Sequence, residues 1–253
     1  MKVVLIGSGN VATVLGRLIS GKGHNLVQVV SRNAVHARIL AEEMGCDFTD
    51  SAAQINRSAE LYIMAVSDHA LYEISKLYHL DRSLVVHTAG AIPIDILKPV
   101  SLNYGVLYPL QSLLKTVETT PEIPILTDGN TPETRTIIVD FAHTLSRNIA
   151  HASDEERLKL HVAAVIVNNF TNHLYALAEE FCRKEKVDFR LLVPLIRETA
   201  LHMSGHSPSE MQTGPAIRND KVTLEKHLHL LSDYPALKDL YRQFTKSIIS
   251  GHS

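Results

Sequence analysis

The sequence predicts an α/β fold in which an N-terminal Rossmann-type parallel sheet is followed by an all-α domain. Three features carry that expectation. Short β-branched runs alternate with helical patterns through the first half, a spacing that joins parallel strands through right-handed crossovers. A strand starts at Lys2 and runs straight into a glycine-rich turn. Past about residue 151 no convincing strand recurs, while apolar residues repeat at helical spacing. The expected domains are therefore 1–151, the Rossmann-type part, and 152–253, the helical part.

The strands read as Lys2–Ile6, Leu26–Val30, Leu61–Val66, Leu84–His87, Tyr104–Leu107, Ile123–Leu126 and Arg147–Ala150, with a weaker one at Cys46–Phe48. Between the first two, Val11, Val14, Leu15, Leu18 and Ile19 recur at helical spacing, and Gly21 and Gly23 stop that helix. Ser153 followed by Glu156 reads as a capping box, starting a helical pattern that reaches about Lys184. At 1.5 Å per residue that helix is roughly 45 Å long, more than a Rossmann crossover needs. Further helical patterns cover Phe189–Met203, Val222–Leu231 and Ala236–Ile249. No repeat, low-complexity tract or Gly/Ser linker separates the two parts.

Composition narrows the function classes. With 253 residues, 45% hydrophobic and 21% charged, the chain has the make-up of an ordinary globular protein with a sizeable core. A formal net charge of −2 gives no global basic field for nucleic acid or an anionic membrane. Cys46 and Cys182 lie far apart with no CxxC, which argues against a disulfide framework or zinc ribbon and fits a reducing cytoplasm. A strand at Lys2 leaves no room for a signal peptide, and the apolar run Val162–Val167 is too short to span a bilayer. A soluble cytoplasmic protein is expected.

The stretch Val3–Val4–Leu5–Ile6–Gly7–Ser8–Gly9–Asn10–Val11–Ala12 reads as a strand followed by GxGxxA. Gly7 permits the tight turn, Gly9 lets a pyrophosphate approach the backbone, and Ala12 is small enough for helix to pack on strand. The phosphates would sit on free N–H groups where the helix begins near Asn10. An incidental glycine turn is the plain alternative, but the apolar strand before it and the amphipathic helix after it are the context the motif needs. The second strand ends Val30–Ser31–Arg32–Asn33, without the acid that usually accepts from a ribose 2′-OH. A guanidinium and a hydroxyl suit a 2′-phosphate instead, so NADP(H) is preferred and NAD(H) remains usable. Ala65–Val66–Ser67–Asp68 would border the same crevice, with Asp68 capping a helix that starts at Ala70.

The substrate end is expected at His87–Thr88–Ala89–Gly90, where small and hydroxyl residues leave room, and at Tyr108–Pro109–Leu110–Gln111. In the long helix His161, Asn168, Asn169, Asn172 and His173 interrupt an apolar segment. At 100° per residue, positions 161, 168 and 172 fall within about 20° of one line and 169 is displaced by roughly 80°. Reducing a carbonyl or imine needs a proton as well as hydride, and a histidine with an ordinary pKa of about 6.5 can supply it at neutral pH. A hydrogen-bonded core histidine, with asparagines at a dimer seam, is the structural alternative. His202 and His206 have helical metal spacing, but Gly205 and Pro208 break the helix there and no third ligand follows, so no metal is expected.

Together these residues resemble a functionally uncharacterised family of assigned NADP oxidoreductases that join a Rossmann-like domain to a helical domain of unknown function. The family falls in the broad 6-phosphogluconate dehydrogenase-like group and is similar to pyrroline-5-carboxylate reductase, ketopantoate reductase and deazaflavin-dependent NADP reductase. The more specific matches are His87–Gly90, Tyr108–Gln111, His161–Ala164 running on to Asn169, and Thr213–Asp220 followed by His227. Two positions depart from the pattern: Tyr108 stands where the family often has His, and Asn219 where it has the Gly of Arg-Gly-Asp. The resemblance implies Asn169 as the partner of His161, where helix geometry favours Asn168. It also implies a homodimer with interlocked helical domains, which would let Arg218 reach a cleft and hold an anionic substrate group. No lysine matches the Lys–Asn pair of the β-hydroxyacid dehydrogenases, so their mechanism does not carry over. The reading is an NADP(H)-dependent reductase of a small carbonyl or imine compound, with Gly7, Ser8, Gly9, Asn10, Val11, Ser31, Arg32, Ala65, Val66 and Ser67 on the cofactor, His87, Thr88, Ala89, Tyr108 and Arg218 on the substrate, and His161 and Asn169 catalytic. The alternative is a dinucleotide-binding redox sensor or scaffold dimer without turnover.

Overall fold

A computed structural model describes residues 1–117, 122–203 and 205–251. The chain forms two compact units, Met1–Asn169 and Phe170–Ser253. The first holds an eight-stranded sheet: β1 (Lys2–Ile6), β2 (Asn25–Val30), β3 (Asp47–Thr49), β4 (Leu61–Met64), β5 (Leu84–His87), β6 (Asn103–Pro109), β7 (Ile125–Gly129) and β8 (Ile149–His151). Their order is β3-β2-β1-β4-β5-β6-β7-β8, so the first six follow the doubly wound dinucleotide-binding order. Those six are parallel. β7 runs antiparallel to β6, pairing Tyr108 with Leu126 and Pro109 with Ile125. The sequence reading expected parallel strands throughout. The exception has a simple cause, since no helix appears among the described residues between β6 and β7 and the chain turns back without a crossover. The pairing with β7 also extends β6 through Tyr108, which the sequence reading placed beyond the strand.

Alternation along the strands sends side chains to two cores. On one face Val3, Leu5, Val29, Ile63 and Val86 pack with α1 (Asn10–Gly21), α2 (Ala34–Met44) and α4 (Pro132–Leu145) through Leu15, Ile19, Leu40 and Phe141. On the other, Val4, Ile6, Tyr62, Met64 and Val85 pack with Leu71 and Ile74 of α3 (Asp68–Ile74). Local chemistry sets the helix ends. Asn33 accepts from the His36 N–H at the start of α2, and Gly45 ends it in the left-handed region at φ 67°. Thr131 accepts from the Thr134 N–H, with Pro132 opening α4.

The long helix begins as expected with a reciprocal box between Ser153 and Glu156, then runs as α5 (Asp154–Ala164), a π turn over Val165–Phe170, and α6 (Thr171–Lys184). The second unit adds α7 (Val193–His202), α8 (Lys221–Leu230) and α9 (Pro235–Gly251). Its buried apolar side chains among the described residues are Cys182, Ala216, Leu224 and Leu231. Among the described residues no helix is long and apolar enough to cross a membrane.

Gly7 sits at φ +124°, and a Cβ there would overlap the Ala65 carbonyl beyond β4. Gly7→Ala therefore meets both backbone strain and a backbone clash, and should cost more than about 2 kcal/mol in urea unfolding. His87, the last residue of β5, is completely buried, and burial with the Arg157 charge pushes its pKa down to about 3. The unfolded chain protonates this histidine near 6.5 and the folded one does not, so stability falls as pH drops from about 6.5 toward 3. His87→Gln should flatten that decline by up to about 1.4 kcal/mol per pH unit between roughly pH 6 and 4; an unchanged slope in chemical denaturation would contradict it.

Candidate active site

The turn after β1 and the start of α1 form one wall of a crevice at the carboxyl edge of the parallel strands. Gly7 donates to the Val30 carbonyl (2.8 Å), bringing β1 and β2 together at that edge. Gly9 caps α1 with no side-chain hydrogen bond and no acid in the first turn. The space a Cβ would take at Gly9 is open, and the first bond from this cap runs from the Thr13 N–H to the Gly9 carbonyl (2.9 Å). The amides of Asn10, Val11 and Ala12 thus keep their hydrogens for an anion. Ala12 is fully buried against the sheet, as the GxGxxA pattern requires. A dinucleotide fits these residues.

Ser8 and Ser31 share a hydroxyl hydrogen bond of 2.8 Å. Together with Gly7, Arg32, Ala65, Val66 and Ser67 they line a cavity of about 210 Å³. Seven of the residues read as cofactor contacts therefore meet around one space. Asp50, Leu77 and Tyr78 line it as well and were not foreseen. Asp50 follows the third strand, so strand topology alone could have pointed to it; the other two come from the segment after α3. Arg32 lies 3.7 Å from Glu73 of α3 with both side chains well exposed, a weak pair that leaves the guanidinium available. Asn10 accepts from the Lys115 N–H (3.3 Å) and Arg17 Nη1 donates to the Lys115 carbonyl (2.8 Å), strapping the segment after β6 onto α1. The cap of α3 differs from expectation. Ser67 accepts from the Ala70 N–H (3.4 Å) and the helix starts at Asp68, whose carboxylate instead acts electrostatically on Tyr108.

Farther along the same edge, the Tyr108 hydroxyl lies 2.9 Å from Nδ1 of half-buried His161, the two rings meeting edge to face. Gly90 makes this possible. A Cβ there would stand 2.8 Å from His161 Nδ1 and 2.9 Å from Tyr108 Cζ, so the glycine is needed for space. Burial raises the Tyr108 pKa most, Asp68 adds to that, and the Arg157 charge opposes it. The π turn bears on Asn168 and Asn169. Its i→i+5 bonding absorbs about one extra residue, which brings Asn169 to within roughly 20° of the His161 line, where an uninterrupted helix would have put Asn168. Both asparagines are exposed.

The His87–Thr88–Ala89 segment behaves differently from the sequence expectation. All three are buried, and His87 Nδ1 accepts from the Ala89 N–H (3.1 Å), so His87 shapes the turn from within instead of facing substrate. Thr88 donates its N–H to Met64 (3.2 Å). Sequence reasoning missed Arg157 altogether. One helical turn before His161, its guanidinium is fully buried, with Nη2 donating to the Ile92 carbonyl (2.5 Å) and to Asp154 (2.7 Å). Its position four residues before His161 on a capped helix was a usable signal. In the second unit, Arg218 is exposed in the loop before α8. Asp220 there caps α8 through the Thr223 N–H (3.1 Å) and hydroxyl (2.7 Å), and Asn219 takes φ +50°, the turn that glycine would otherwise supply.

Residues 2–90 match the family described as NADP oxidoreductase, coenzyme F420-dependent, and residues 123–248 match a domain of unknown function, DUF2520. No curated protein is significantly similar to the chain. A Bacteroides fragilis structure assigned as an NADP oxidoreductase is 40% identical, with a TM-score of 0.92 and 98% of each chain covered. A 1-pyrroline-5-carboxylate reductase from Streptococcus pyogenes is 13% identical, with a TM-score of 0.64 over 99% of this chain and 98% of that one. A reductive aminase from Aspergillus terreus is 16% identical, with a TM-score of 0.69 over 100% and 96%. These last two share the fold. With the strand–turn–helix site in place and a 40% identical relative matching end to end, the chain belongs to the NADP oxidoreductase family that joins a Rossmann-like domain to the DUF2520 helical domain.

Proposed function

We propose that this chain reduces a small carbonyl or imine compound with NADPH, and that Tyr108 and His161 together deliver the proton. The observation that carries the reading is the 2.9 Å contact between the Tyr108 hydroxyl and His161 Nδ1 at the sheet edge that also bears the GxGxxA turn. Bound NADPH supplies the hydride. The chain's own residues do the rest: the amides at the start of α1 hold the diphosphate, and Ser31 and Arg32 distinguish the phosphorylated ribose. Tyr108 or His161 gives a proton to the oxygen or nitrogen left negative by reduction, and the other replaces it through their hydrogen bond. Asn169, turned toward His161 by the π turn, orients the substrate. This pair supplies the donor that the missing lysine would have provided, which favours turnover over a sensor or scaffold role. Lys159 itself is occupied by Glu155 at 2.5 Å.

NADP(H) is the proposed cofactor, with NAD(H) as the weaker one, because an arginine and no acid stands at the end of β2. The reductive aminase of similar fold was solved with NADPH and ethyl-5-oxohexanoate, which accords with this chemistry. A homodimer completes the proposal. The second unit leaves Leu191, Leu195, Leu201 and Val222 between 64% and 77% exposed, a large apolar surface for a single chain, and Arg218 would serve a partner's cleft.

Arg32→Ala should weaken NADPH by about 1.5–3 kcal/mol and leave NADH nearly unchanged in fluorescence titrations, whereas equal losses would remove its role. Glu73→Gln, which releases Arg32, should strengthen NADPH by up to about 1 kcal/mol. Tyr108→Phe and His161→Asn should each lower kcat at least about 100-fold across a panel of 2-oxo acids, aldehydes and cyclic imines, with NADPH affinity unchanged. Full activity in Tyr108→Phe would exclude the tyrosine. Tight NADPH binding with no turnover by the parent protein would favour the sensor.

A further inference from the structure

The cavity beside the GxGxxA turn combines an apolar lining with one carboxylate. Ile74, at the end of α3, and Leu77 and Tyr78 just after it line the cavity together with Val66. Ile74 and Tyr78 are buried and pack in the core on that face of the sheet, so this lining is firmly held. Asp50, the residue after β3, lines the same space. Among the described residues no hydrogen bond or ion pair engages its carboxylate.

Backbone pairing fixes where that carboxylate is presented. Thr49, the last residue of β3, pairs with Val30, and the Ser31 N–H donates to the Thr49 carbonyl (3.1 Å). Asp50 therefore follows at the level of Ser31, one strand farther from the diphosphate turn. A chain of hydrogen bonds holds the segment that carries it. The buried Thr49 hydroxyl accepts from the Ser51 N–H (3.1 Å) and donates to Gln54 Oε1 (2.8 Å). Buried Gln28 of β2 donates to the Gln54 carbonyl (3.0 Å) and accepts from the Asn56 N–H (2.7 Å). Two polar side chains inside the sheet are thus spent on fixing the turn that presents Asp50.

We propose, resting on the dinucleotide reading of the GxGxxA turn, that this cavity takes the adenine ring and that Asp50 accepts a hydrogen from its exocyclic 6-amino group. Sheet order sets the order of the ligand's parts: diphosphate at β1, ribose at the end of β2, base toward β3. At about 210 Å³ the cavity is smaller than the roughly 300–1,000 Å³ of a pocket for a whole drug-sized ligand, and it suits one ring system. A purine offers apolar faces to Ile74, Leu77 and Tyr78 and carries its polar atoms at the rim. A carboxylate accepts and does not donate, so it selects a base with an amino group at that rim and opposes one with a carbonyl there. Facing the ribose instead, it would repel the 2′-phosphate that Ser31 and Arg32 hold in the proposed cofactor.

Fluorescence titration of the full chain with NADPH, NADH and deamino-NADPH, in which a 6-carbonyl replaces the 6-amino group, tests this without any need for turnover. NADPH should bind roughly tenfold or more tighter than its deamino analogue. In Asp50→Asn, whose amide can donate to the carbonyl, the two should come within about threefold of each other. Equal affinities in the parent protein overturn the assignment, as does an unaltered preference in Asp50→Asn. A loss in Asp50→Asn confined to NADH overturns it too, by putting the carboxylate on the ribose. Failure to bind either NADPH or NADH removes the dinucleotide reading together with this one, whereas tight NADPH binding indifferent to the 6-position removes this one alone.

Discussion

The hydrogen bond between Tyr108 and His161 ties the last parallel strand to the helix that leaves the sheet, and the site is arranged around it. It needs three things at once. β6 must extend far enough for Tyr108 to reach the edge, which the antiparallel pairing with β7 provides. α5 must start in register, which the Ser153–Glu156 box provides. The turn after β5 must carry no side chain where the rings meet, and Gly90 meets that condition. Failure of any one would separate the two side chains.

The cofactor end follows a similar logic of close approach. Gly7 lets the first turn lie against the Ala65 carbonyl, and the open space over Gly9 leaves the α1 amides bare. The free N–H groups, the macrodipole and the lack of an acid in the first turn all favour a negative ligand. The surface pair of Arg32 with Glu73 is weak enough to exchange for a phosphate. Buried Arg157 is the opposite case. Its charge is enclosed, so its effect on His87 and Tyr108 is screened little by water.

Much of this was legible in the sequence. β1 and β5 occur at the residues expected, and the long helix ends at Lys184, because strand alternation, capping and glycine stops are local signals. The cofactor turn was legible for the same reason. The substrate side was less so. His87 was expected to face a ligand and instead lies inside the sheet edge. A position at the end of a strand does not say which way the side chain points. Asp68 was expected to cap α3, but Ser67 does so one residue earlier, a shift that short helices tolerate.

The sequence by itself determined the nucleotide-binding half, the helical second half and the choice of an arginine over an acid at the end of β2, since each depends on residues within a few turns of chain. Tertiary structure decided which side chains meet. Tyr108 and His161 are 53 positions apart, Arg157 and the Ile92 carbonyl 65, and no periodicity within either segment encodes their contact. The π turn that reorients Asn169 belongs to the same class. An α-helical period of 3.6 residues placed Asn168 on the His161 face, and one local change of hydrogen bonding moved that place to its neighbour.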